Sequence, residues 1–269
     1  MTTYWRRLRE TVSERGPLCV GIDPHPSILA SWGLAADAAG AERFSRHLIA
    51  TLADRVTAFK PQSAFFEVYG SAGAAVLERV LADIGESPAL SILDVKRGDI
   101  GSTMAAYAEA YLSDGAPLSA DAITVSPYLG FGSLRPAIEL AHRNERGIYV
   151  LARTSNPEGG GVQLALTQDG EGSVVQSIID AATEVNRESR QKAVGLVVGG
   201  THATLGCDLA DFNGSILVPG IGFQGGRMED LPALFGDAVD QVLAVVGRGV
   251  ISAGPDPQAL RAKVDALVG

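Results

Sequence analysis

The chain has 269 residues, of which 46% are hydrophobic and 20% charged, and a formal net charge of −9. That balance suits a packed core and excludes a disordered or fibrous chain, while the acidity excludes a general binder of nucleic acid or anionic membrane, which needs a basic face. The length lies in the range that α/β barrels occupy as one unit, so residues 1–269 are expected to form a single domain.

In chain order, the basic start Met1-Thr2-Thr3-Tyr4-Trp5-Arg6-Arg7 has no apolar run behind it, and no uninterrupted apolar stretch reaches the roughly 18 residues of a membrane span. A cytoplasmic location is the expectation. The amphipathic segment 4–12 is expected to plug or flank the bottom of the fold, with Trp5 and Leu8 in the core. Eight short apolar runs bounded by turn residues then predict strands over 18–23, 56–60, 89–96, 122–126, 148–153, 194–199, 215–219 and 242–246. Helical patterns fill the gaps at 41–55, 71–84, 101–113, 133–143, 172–190, 203–212 and 227–236, and 257–267 closes the chain. Strands such as Leu18-Cys19-Val20-Gly21-Ile22 are apolar on both faces. Strand–helix alternation with such strands predicts a (β/α)8 TIM barrel with an extra N-terminal helix. Glu158-Gly159-Gly160-Gly161, after the fifth strand, reads as a mobile active-site loop.

Barrel enzymes build their sites at the carboxyl ends of the strands. Those ends carry Asp23, Lys60, Asp94 with Lys96, Ser126, Ser155, Gly199-Gly200, Gly220 to Gln224, and Arg248. The third is the most informative. Strand side chains alternate faces, so in Asp94-Val95-Lys96-Arg97-Gly98-Asp99 the Asp94 carboxylate and Lys96 ammonium converge while Val95 points into apolar packing. Asp99 precedes a helical stretch and serves there either as a catalytic group or as an N-cap. After the seventh strand, Pro219-Gly220-Ile221-Gly222-Phe223-Gln224-Gly225-Gly226 lets backbone approach a ligand and offers N–H donors, and Arg248 adds a guanidinium fork. Together they read as a phosphate site, the common use of these two loops in barrels.

Cys19 and Cys207 share no metal-ligand spacing and read as reduced and structural. His25, His47, His142 and His202 are scattered and compose no metal triad. Neither a G-x-S-x-G elbow nor a G-x-x-x-x-G-K-[ST] loop is present. The chemistry is left to carboxylates and lysines.

On these residues the chain resembles the orotidine 5'-phosphate decarboxylases, specifically their longer bacterial subgroup, from Gly21-Ile22-Asp23-Pro24 to Arg248-Gly249. The specific part is Asp94-x-Lys96-x-x-Asp99-Ile100-Gly101-Ser102-Thr103. Phe59-Lys60-Pro61-Gln62, Arg153-Thr154-Ser155-Asn156-Pro157 and the loop 218–226 match in the same order. The resemblance implies conversion of orotidine 5'-monophosphate to uridine 5'-monophosphate and carbon dioxide in de novo pyrimidine biosynthesis, with no cofactor and no metal. It implies a homodimer in which Lys60, Asp94, Lys96 and Asp99 form an alternating charge network, and Asp99, Ile100 and Thr103 reach the other subunit's site. Asp23 and Lys60 would hold ribose hydroxyls, Ser155 the pyrimidine, and Gln224 with Arg248 the phosphate. Ser126 stands where the family is expected to carry Asn before Pro, and no role is assigned to it. Two other readings remain open. One is a magnesium-dependent sugar-phosphate decarboxylase or aldolase of the same barrel group, whose metal-binding Glu two residues before the first Asp is Ile92 here; the other is a catalytically silent nucleotide binder, against which the intact Lys96 weighs.

Overall fold

The computed structural model describes residues 2–268. Eight strands, β1 (Leu18–Ile22), β2 (Ala58–Pro61), β3 (Leu90–Arg97), β4 (Ala122–Val125), β5 (Gly147–Arg153), β6 (Val194–Val198), β7 (Ile216–Ile221) and β8 (Val242–Val246), run parallel. Each pairs with its sequence neighbour, and β8 closes on β1, giving a (β/α)8 TIM barrel.

The period of two sorts each strand between two cores. Leu18, Val20 and Ile22 of β1 face the surrounding helices, as do Ile148, Val150 and Ala152 of β5. Cys19, Ile92, Tyr149, Val197, Leu217, Leu243 and Val245 fill the barrel interior. The helices Ala38–Leu52, Gly70–Gly85 and Val174–Glu188 bury apolar stripes against the outside, and the first is capped by Asp37 accepting the Gly40 amide at 2.7 Å.

The N-terminal helix Tyr4–Arg15 closes the amino ends of the strands, inserting Tyr4 and Leu8 into the interior. The Tyr4 and Tyr149 hydroxyls bond at 2.8 Å, and Tyr149 donates onward to Ser215 at 3.0 Å. Gly147 makes room for this plug, since a Cβ there would stand 2.4 Å from Tyr4 Cδ1. Arg7 pairs with Asp121, whose second oxygen accepts the Ser91 amide at 2.9 Å and hydroxyl at 3.0 Å. Trp5 departs from expectation: it stays half-buried, with Arg9 and Lys192 against its ring.

The expected helix over 203–212 does not form. Leu205, Leu209 and Phe212 are buried at helical spacing, which is what the pattern detected, but they belong to an irregular segment. Gly206 there has φ +70°, and Asp208 bonds the Ala210 amide, a local turn that competes with a helix. The expected 227–236 helix is likewise broken, into two 3₁₀ segments flanking Leu231–Phe235. His25, at the first strand end, caps the short helix Pro26–Ser31 through the Ser27 amide.

Candidate active site

The carboxyl ends of the strands enclose a cavity of about 480 Å³, and Asp23, Lys60, Asp94, Lys96, Ser155, Gln224 and Arg248 all line it. Its floor is the upper rim of the interior core: Leu151, Val197, Leu217 and Val245. The volume and the mix of an apolar floor with convergent polar groups suit a small-molecule ligand.

Asp94 is the hub. It is buried, and each oxygen accepts two hydrogen bonds: Oδ2 from Lys60 Nζ at 2.8 Å and Gln62 Nε2 at 3.1 Å, Oδ1 from Lys96 Nζ at 2.6 Å and Thr124 Oγ1 at 2.8 Å. Burial works against the charged carboxylate, but the ammonium groups of Lys60 and Lys96 prevail and hold Asp94 well below the usual carboxylate range. Burial likewise disfavours the Lys60 ammonium, and Asp94 with Asp23 reverses this and raises its pKa. The Lys60 side chain is 8% exposed and that of Lys96 46%, so Lys60 is a fixed buried cation while the Lys96 ammonium faces the cavity. Asp23 Oδ1 is buried without a hydrogen-bond partner, an acceptor held ready for a ligand hydroxyl.

The far end of the cavity has a different character. Gly220, Gly222 and Gly225 take φ of +100°, +85° and +98°, the left-handed region that suits glycine, and fold the β7 loop tightly. The loop amides are less free than expected: those of Gly222, Gly225 and Gly226 donate to carbonyls of the same loop at 2.7 to 3.0 Å. The cation at this end is Arg248, whose guanidinium lies 4.2 Å from the centre of the Phe223 ring. Ser155 donates to Gln224 Oε1 at 3.4 Å, joining the β5 and β7 loops.

The glycine-rich β5 loop forms a 3₁₀ turn and the short helix Gly160–Gln163. Gln163 folds back on its strand, accepting from the Thr154 amide at 3.1 Å and from Arg153 at 3.1 Å, and donating to Thr154 Oγ1 at 2.7 Å.

Asp99, Ile100 and Thr103 are not among the residues lining this cavity. Asp99 is not a helix cap either, since its carboxylate accepts only the adjacent Ile100 amide, at 2.7 Å. Ile100 is 62% exposed, and Val68, Tyr128 and Leu129 on neighbouring loops are also exposed. Sequence reasoning missed Gln62, Phe65 and Thr124 in the lining. Gln62 stands two residues after Lys60, the spacing of a shared strand face, and Thr124 is the one polar residue in the run Ala122-Ile123-Thr124-Val125, so both carried a signal.

The thiols are inert: burial pushes Cys19 up to about 12 and Cys207 up to about 11. Among the described residues no group of three or more His, Cys, Asp or Glu is placed to hold a metal ion, and no helix is long and apolar enough to cross a membrane.

The family model for the orotidine 5'-phosphate decarboxylase / HUMPS family matches residues 16–263. An orotidine 5'-phosphate decarboxylase from Streptomyces coelicolor is 52% identical over 265 residues, covering 98% of this chain and 95% of the relative. One from Salinispora tropica is 51% identical over 269 residues, covering 100% and 96%. Among solved structures, one from Streptomyces avermitilis superposes with a TM-score of 0.93 at 50% identity, covering 100% of this chain and 94% of the other. The Leishmania donovani OMP decarboxylase superposes with a TM-score of 0.78 at 29% identity, covering 99% and 98%.

Proposed function

The chain belongs to the orotidine 5'-phosphate decarboxylase / HUMPS family, and from that membership we propose that it is an orotidine 5'-phosphate decarboxylase acting at the Lys60–Asp94–Lys96 network. The observation that carries the site assignment is a buried carboxylate shared by two ammonium groups, one of which faces the cavity, with a guanidinium at the other end. Arg248 and Gln224 take the phosphate, Asp23 and Lys60 the ribose hydroxyls, and Ser155 the base.

The C6–carboxylate bond of orotate breaks with its electron pair left on C6, where no adjacent carbonyl delocalises it. The Lys96 ammonium stabilises that carbanion as its charge grows and then gives it a proton, leaving a neutral amine that solvent reprotonates. This interaction strengthens toward the transition state and so raises turnover rather than merely binding. Asp94 accepts the Lys96 ammonium and aims it, and its negative charge lies beside the substrate carboxylate. Binding energy at Arg248 supports chemistry at the other end of the ligand.

A metal-free reaction is supported by the donor set. Ile92 is fully buried and apolar, so it adds no oxygen beside Asp94, and both Asp94 oxygens are already engaged. A homodimer with shared sites is supported by Asp99, Ile100 and Thr103, which lie outside the cavity of their own chain, Asp99 half-buried and the other two exposed.

The test is the absorbance change of orotidine 5'-monophosphate on adding purified protein in excess chelator, with Lys96→Ala as control. Turnover that survives chelation and disappears in the variant, while uridine 5'-monophosphate still binds, is the expected result. Tight nucleotide binding without turnover by the unmodified chain would replace the enzyme with a silent binder.

A further inference from the structure

We propose that Thr124 is the positioning residue that sets Lys96, holding the lysine at both its backbone and its ammonium end through one hydroxyl. The requirement arises in the sheet. Leu93 pairs with Ile123 and Arg97 with Val125, so the three residues Asp94, Val95 and Lys96 stand opposite the single residue Thr124. Such a bulge leaves an amide without a ladder partner and re-aims side chains, here at the site itself. Lys96 completes the bulge with φ +45°, a left-handed conformation uncommon for a residue with a Cβ.

Thr124 Oγ1 answers both needs. It accepts the stranded Lys96 amide at 2.9 Å and donates its one proton to Asp94 Oδ1 at 2.8 Å, the same oxygen that receives Lys96 Nζ at 2.6 Å. The ring runs from the Lys96 backbone through Thr124 and Asp94 back to the Lys96 ammonium. Thr124 is 2% exposed, so water is a poor substitute on either side. A valine would keep the shape and remove both bonds, leaving the Lys96 amide without its partner and Asp94 Oδ1 with the ammonium alone. The lysine would then be free to abandon the left-handed conformation, and its Nζ would lose its fixed place in the cavity.

The kinetic consequence rests on the decarboxylase reading; the geometric one does not. In Thr124→Val, kcat for orotidine 5'-monophosphate is expected to fall about tenfold or more, with KM and uridine 5'-monophosphate affinity changed by no more than about threefold. Thr124→Ser, which restores the hydroxyl, is expected to recover kcat to within about threefold. A purely structural role would not give that split or that rescue. Where Thr124→Val does not fold, Thr124→Ala against Thr124→Ser isolates the same hydroxyl, and equal kcat in the two overturns the proposal. A crystal structure of the Val or Ala variant decides the geometry: a Lys96 backbone and ammonium that have not moved overturn the proposal whatever the kinetics. Absence of turnover in the unmodified protein would remove the decarboxylase reading alone, and the crystal structure would still decide the role of Thr124.

Discussion

Lys60→Met tests whether the network is held by charge. Methionine matches the unbranched stem of lysine and fills its apolar channel, so the change removes the ammonium with little loss of packing. Breaking a buried ion pair by deleting one member costs about 3–5 kcal/mol, because the survivor is left uncompensated. Asp94 retains Lys96, Thr124 and Gln62 as donors, and deleting Lys60 also removes that ammonium's own desolvation, so the low end, about 3 kcal/mol, applies. For a chain of this size that corresponds to a melting point lower by about 6–12 °C. The sign with pH follows from both partners. Asp94 is held below its ordinary value, so its stabilisation is complete above the unfolded carboxyl value of about 3.9 and is lost as pH falls through the folded value. Lys60 is raised, so its share is complete below about 10.4 and is lost as pH rises through its folded value. Urea unfolding of both proteins from pH 3 to 10 should therefore show a gap that holds from neutral pH up to pH 10, where the Lys60 share is still complete, and that narrows toward pH 3 as the Asp94 share begins to be lost. A double-mutant cycle with Asp94→Asn should return a coupling well above the scatter of independent sites, about 0.5 kcal/mol. A gap under about 1 kcal/mol, typical of an exposed pair, or one independent of pH, would refute the buried ion pair as the organising element.

Arg248→Ala should weaken uridine 5'-monophosphate binding by about 10–150-fold, the equivalent of about 1.5–3 kcal/mol for hydrogen bonds to a charged group, measured by calorimetry. It should lower kcat/KM at least as much; unchanged affinity would move the phosphate elsewhere. Mixing inactive Asp99→Asn with inactive Lys96→Ala should restore about a quarter of the unmodified activity if sites are shared across a twofold dimer, since half the dimers are mixed and each has one intact site. No recovery after subunit exchange, verified by light scattering and mass spectrometry, would assign Asp99 no role in a partner's site. Gly147→Ala places a Cβ against the Tyr4 ring and should destabilise the fold by about 1–3 kcal/mol in urea titration, while kcat stays unchanged because the plug lies at the opposite end of the barrel. A silent substitution would show that the N-terminal helix is not seated as described.

The barrel was legible because eight short apolar runs stand between turn residues, several of them, such as Leu18–Ile22, apolar on both faces, and because every strand end carries polar or charged groups or glycines. What misled was periodicity without local geometry. Leu205, Leu209 and Phe212 repeat like a helix face because all three reach the core, yet Gly206 and Asp208 turn the backbone between them. The pairing of Asp94 with Lys96 was anticipated from strand alternation, but the chain achieves it differently. A regular strand would have carried Lys96 along an ordinary ladder, whereas the chain bulges and turns left-handed there. Bulges depend on the register of a neighbouring strand, which no local pattern records. Thr124 escaped notice for the same reason: its polarity within an apolar run was visible in the sequence, but its importance comes from standing opposite three residues.

The placement of charge explains how an acidic chain can serve a polyanionic ligand. Three cations and two carboxylates from this chain line the cavity, and they are not distributed evenly. Both carboxylates stand with Lys60 and Lys96, and Asp94 engages both ammonium groups, so the cations there are balanced before any ligand arrives. Arg248 rests instead against an aromatic face, which leaves its hydrogen-bond donors available. On the proposed decarboxylase reading, a nucleotide would be drawn in by its phosphate, through a charge-assisted contact made at little cost in competing bonds. Its orotate carboxylate would meet a network whose positive charge is already matched by Asp23 and Asp94. In the proposed reaction, as carbon dioxide leaves and charge moves from the carboxylate to C6, the ammonium facing the cavity would gain a better partner than it had in the ground state. On that reading the asymmetry would direct strong ground-state binding to the end of the ligand that does not react and reserve the Lys96 contact for the transition state, the distribution that raises turnover.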